Sequence, residues 1–152
     1  MGRVMLSLAM LLISLSAWAE MPSEGNVKAV AEAWLAKKPA PGFGTAMTIP
    51  EATKVQAQFS ALVAGDLGEV VGYKAALTNP AVQKRFGYDQ PLRGTLFAKM
   101  ILSGGAKVSA AYGSRQVYEA DLVAVVGDAT KLMAAKTPLE ALEGISVFRP
   151  FI

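Results

Sequence analysis

Residues 116–126, QVYEADLVAVV, constrain the fold more than any other stretch of this chain. They are dense in Val, Leu and Ala and stop at Gly127-Asp128, the pattern of one β-strand. Two acids, Glu119 and Asp121, lie inside it. Residues i and i+2 of a strand share a face. The spacing therefore predicts both carboxylates on one side, with Ala120, Leu122, Ala124 and Val126 filling the other. Like charges at that spacing repel, and burying them unpaired is costly. A hard divalent cation such as Mg²⁺ would remove both costs, because it prefers carboxylate oxygens. A solvent-facing acidic patch on a strand end accounts for the same spacing.

Cys and His are both absent from the 152 residues. That excludes disulfides, thiolate zinc sites, His-ligated metals and Ser-His-Asp or Cys-His catalysis. Carboxylates, lysines, tyrosines and hydroxyls remain for chemistry. The net charge of +3, with no basic cluster, leaves no footprint for nucleic acid.

Residues 1–19 are set apart as a signal peptide. Arg3 gives a positive start, residues 4–15 are apolar apart from Ser7 and Ser14, and Ala17-Trp18-Ala19 precedes Glu20. That is the layout of a secretory leader, and the apolar run is short for a spanning helix. Cleavage is expected after Ala19, with a periplasmic or secreted product and no membrane attachment afterwards. An uncleaved amphipathic N-terminus is the alternative.

Helical spacing runs over 26–38, with Val27, Val30, Ala31 and Trp34 on one face, and Pro39 to Gly44 stops it. Thr48-Ile49-Pro50-Glu51 is a capping box opening a second helix, with Ala52, Val55, Phe59, Leu62 and Val63 as its stripe and Gly65-Asp66 as its end. Residues 70–77 read as a strand bearing Lys74, and Asn79-Pro80 caps a short helix closed by Gly87. A loop is expected over 88–94, a strand or helical turn over 95–102, and a short strand over 107–111. Thr137-Pro138-Leu139-Glu140 caps a last short helix, ended by Gly144 before a strand from Ile145. Helices followed by short strands imply an α+β fold. The apolar end Pro150-Phe151-Ile152 reads as the middle of an element, so the protein is expected to continue beyond it.

Several blocks then match one family. They are Glu51-Ala52 with Gln56, GYKAALTNPAVQKRFG (72–87), DQP (89–91), GTLFAKM (94–100), YEADLVAVV (118–126) and the closing RPFI. In order and spacing the chain resembles the fumarylacetoacetate hydrolase superfamily, in its branch of 2-oxopent-4-enoate hydratases and 4-oxalocrotonate decarboxylases. The resemblance implies N-terminal helices over 20–66 and part of a mixed β-roll over 67–152. It implies Mg²⁺ or Mn²⁺ held by Glu119, Asp121 and a third carboxylate immediately after Pro150-Phe151-Ile152. It gives Lys74 a catalytic role, binding the carboxylate of a small 2-oxo acid substrate or moving a proton. It also implies a homo-oligomer for the complete protein.

The implied reaction is hydration of a 2-hydroxy-2,4-dienoate from aromatic catabolism. The alternatives are decarboxylation in the same branch, or an exported non-catalytic binding protein on this fold. Three departures bear on the choice. Asp121 replaces the family's usual glutamate, Leu92 stands where the family has an aspartate, and relatives with this chemistry are usually cytosolic whereas this chain opens with a signal-peptide layout.

Overall fold

The computed structural model describes residues 21–44, 47–113 and 117–152. The signal peptide expected over 1–19, and Gln116 of the strand expected over 116–126, lie outside the described residues. The chain is α+β and divides into two compact units, one up to Val108 and one from Ser109 to Ile152.

In the first unit, α1 spans Glu24–Leu35. It starts two residues before the expected position because Ser23 caps it, its hydroxyl accepting from the Asn26 amide at 3.2 Å. Helix α2 spans Ile49–Leu67. The capping box forms as expected: the Thr48 amide donates to Glu51 Oε2 at 2.8 Å, and the Glu51 amide donates to Thr48 Oγ1 at 3.4 Å. The Thr48 hydroxyl also donates to Glu51 Oε2 at 2.7 Å, and this bond first, then that from the Thr48 amide, holds the Glu51 carboxyl below its ordinary pKa. Gly65-Asp66 does not end this helix. A helical glycine costs only about 1 kcal/mol, and the chain leaves α2 at Gly68, whose φ of 86° suits glycine.

Strand β1 (Val70–Ala76) pairs antiparallel with β2 (Leu92–Phe97), and α3 (Pro80–Phe86) connects them. The expected loop over 88–94 is thus shorter, since Leu92, Arg93 and Gly94 already pair with Ala76, Ala75 and Lys74. A 3₁₀ turn, Ala98–Met100, follows β2. The core joins one residue from each of three elements: Ala31 of α1, Val63 of α2 and Phe97 of β2. Around them pack Leu35, Phe59, Ala64, Leu67 and Met100. Side chains also tie β2 to α2. Gln56 donates to the Arg93 carbonyl at 2.9 Å, and Ser60 donates to the Thr95 hydroxyl at 3.4 Å.

The strand expected over 107–111 does not form: residues 107–109 carry no regular structure and Ala110-Ala111 lie in a turn. The Tyr112 amide donates to the Ser109 carbonyl at 2.9 Å and the Ala111 amide to the Ser109 hydroxyl at 3.1 Å. Serine competes here for backbone partners that a strand would need.

In the second unit, β3 (Asp121–Val126) pairs antiparallel with β4 (Ile145–Phe151). Two short helices lie between them, α4 (Ala129–Ala134) and α5 (Pro138–Leu142). Asp128, expected only to end a strand, also caps α4 by accepting from the Lys131 amide at 3.0 Å. Thr137 caps α5, accepting from the Glu140 amide at 3.2 Å. The Glu140 carboxylate accepts from the Lys136 amide rather than from Thr137, so the box is half formed. The Gly144 carbonyl closes the connection, accepting from the amides of Gly127 and Asp128 at 2.9 and 3.1 Å.

Candidate functional site

Lys74 sits in β1 directly opposite Gly94 of β2. Directly opposed residues share a face and alternate residues follow them. Gly72, Lys74 and Ala76 of β1 therefore share one face with Leu92, Gly94 and Leu96 of β2. Tyr73, Ala75, Arg93 and Thr95 take the other face, and the Thr95 hydroxyl places that face against α2. Lys74 is exposed on the face turned from α2. Arg93 lies on the α2 side, its guanidinium carbon 4.6 Å from the centre of the Tyr73 ring, a cation–π contact.

The two acids are placed differently from each other. Asp121 is the first residue of β3, opposite Phe151, the last strand residue of β4. Glu119 precedes the strand, because pairing with β4 begins only at Asp121. The expectation of one strand from 116 is corrected to that extent. The facing is corrected too. Ala120, Leu122, Ala124 and Val126 are all exposed, whereas Val123 and Val125, on the face of Asp121, are half-buried. A two-stranded sheet covers one face at most, and here the covered one is that of Asp121.

One Asp121 oxygen accepts from the Leu122 amide at 2.9 Å, which fixes that carboxylate's orientation. Both acids are exposed and both are hard oxygen donors, the chemistry Mg²⁺ and Mn²⁺ prefer. Among the described residues no group of three or more His, Cys, Asp or Glu is placed to hold a metal ion. Lys74 belongs to the first unit and the acids to the second.

Two clefts lie elsewhere. One of about 500 Å³ is bounded by Ser23, Asn26, Val30 and Phe43. Another of about 120 Å³ is bounded by Trp34, Gln56, Phe59 and Met100. Neither includes Lys74, Glu119 or Asp121. The Gln56 contact with Arg93 and the Arg93–Tyr73 stack did not emerge from sequence reasoning. Gln56 did stand among the residues carrying the family resemblance, but its hydrogen-bond partner needed the register of β2.

Among proteins of assigned function, a 2-keto-4-pentenoate hydratase from Burkholderia vietnamiensis is 44% identical over 57 residues. The matched stretch is 38% of this chain and 22% of that relative, so the chain spans well under two thirds of its length. No protein-family model matches the chain, and no solved structure matches it.

Proposed function

We propose that this chain belongs to a metal-dependent hydratase that adds water to a 2-hydroxy-2,4-dienoate in its keto form, giving a 4-hydroxy-2-oxo acid. The observation that carries the proposal is the 44% identity over 57 residues to a protein named 2-keto-4-pentenoate hydratase. The exposed Lys74, on a sheet face otherwise made of Gly, Ala and Leu, supports it.

A bound Mg²⁺ or Mn²⁺ supplies Lewis-acid polarisation of a 2-oxo group. Glu119 and Asp121 would contribute to holding it, with carboxylate oxygens alone. Lys74 would hold the substrate carboxylate through its ammonium and offset negative charge that develops beside it. Leu92 cannot carry a proton, so any proton moved on that face would pass through Lys74. The same proposal includes export of the protein and a homo-oligomeric assembly.

The test is turnover of 2-hydroxypenta-2,4-dienoate, followed by loss of its ultraviolet absorbance with Mg²⁺ present and after chelation. Turnover that needs Mg²⁺, and that falls about 10²-fold in Lys74→Ala, is expected. No turnover by the full-length protein sinks the proposal.

A further inference from the structure

The smaller cleft, of about 120 Å³, lies within the first unit and is walled on its apolar side by Trp34, Phe59, Phe97 and Met100. The Trp34 and Phe59 rings meet edge to face, 5.8 Å between centres and 83° between planes. Such a corner offers both a ring face and a ring edge, the two geometries in which a third ring packs well. A cavity of about 150 Å³ holds one benzene, so the space here is close to that of a single ring. The polar part comes from Gln56, Ser60 and Thr95. The Gln56 nitrogen donates to the Arg93 carbonyl at 2.9 Å, which orients the amide and leaves its oxygen to accept. The Ser60 and Thr95 hydroxyls share one hydrogen bond at 3.4 Å. Two hydroxyls carry two hydrogens, so one is left to donate whichever way that bond runs. Among the described residues no charged side chain lines the cleft; Lys37 Nζ lies 5.2 Å from the Trp34 ring centre but is not part of the lining.

We infer that this cleft is a binding site for a neutral single-ring phenol. The ring fills the aromatic corner. The phenolic hydroxyl both donates and accepts, so one group answers the Gln56 oxygen and the spare hydroxyl hydrogen together. A ring without a polar group would cover those partners and leave them unpaired. A ring carboxylate would lose hydration with no cation in the lining to replace it. The site is separate from Lys74, Glu119 and Asp121, and it does not depend on the hydratase reading.

The experiment follows the indole N–H resonance of Trp34 in the full-length protein, assigned by its loss in Trp34→Phe, while phenol, toluene or benzoate is added. Phenol is expected to shift it saturably with a Kd of about 1 mM, and toluene, matched in size, to bind about tenfold more weakly. Benzoate is expected to leave it in place. Ser60→Ala combined with Thr95→Val removes both hydroxyls and is expected to bring phenol down to the affinity of toluene. Ser60→Met, which fills the cleft, is expected to abolish binding and serves if circular dichroism shows the double variant to be poorly folded. No saturable shift up to about 20 mM phenol overturns the inference. So does toluene or benzoate binding as tightly as phenol, or phenol binding unmoved in a folded variant.

Discussion

Gly144 is packed so closely against Leu132 that a Cβ added to it would lie 2.8 Å from the Leu132 Cβ and from its backbone nitrogen. The Asp128 carbonyl oxygen would be 2.9 Å away. Backbone cannot yield as a side-chain tip can. Gly144→Ala is therefore expected to destabilise the unit from Ser109 onward by about 1–3 kcal/mol. Urea unfolding followed by the amide signals of β3 and β4 measures it. Gly65→Ala, where an added Cβ meets nothing within 4 Å inside α2, is the contrasting control and is expected to be neutral or stabilising.

Acid should weaken the start of α2. The Glu51 carboxyl is held below its ordinary value of 4.5 by the Thr48 hydroxyl and then by the Thr48 backbone amide. A carboxyl whose folded pKa is depressed stabilises the fold fully above its unfolded value, and that contribution disappears as pH falls through the folded value. The difference in urea midpoint between pH 7 and pH 3 should be smaller in Glu51→Gln than in the unaltered protein. An identical difference would show that the capping box does not couple to stability.

The core of the first unit depends on Phe97, which is 3% exposed and meets both helices through Ala31 and Val63. Phe97→Ala is expected to cost about 3–5 kcal/mol. Phe86, at the end of α3, is 68% exposed, and Phe86→Ala should stay within about 0.5 kcal/mol. Thermal unfolding of the two variants side by side separates a buried aromatic from an exposed one of the same type.

If Glu119 and Asp121 hold a divalent cation, Mn²⁺ should broaden the amide resonance of Leu122, whose N–H already points at an Asp121 oxygen. Asp121→Asn should remove most of that broadening while the β3 amides keep their dispersion. Broadening that survives in the asparagine variant would remove Asp121 from the donor set.

Local chemistry made much of this fold legible. The Thr48 box, the Asn79 cap with Gly87 closing α3, and the Thr137 cap each involve residues within a few positions of one another, and each formed. What the sequence left open depended on partners distant in the chain. Whether residues 117–120 belonged to a strand was decided by β4, whose pairing with β3 begins at Asp121. Leu92 and Arg93 looked like loop until β1 paired with them. The residues 107–111 failed as a strand because a serine found a nearer partner. For the site, the residue types could be read from the sequence, but the placement of Lys74 opposite Gly94 and beside Leu92 needed the register.

The Gln56 side chain also bears on how this protein stays out of trouble. By donating to the Arg93 carbonyl it occupies a backbone acceptor on β2 that a strand from another molecule could otherwise use. Unpaired strand backbone is a template for edge-to-edge addition, and natural sheets are guarded against it. Here the guard is a helix side chain reaching across to the sheet. In the folded protein, a residue whose bond looks like ordinary packing thus leaves one backbone acceptor fewer along β2 for such addition.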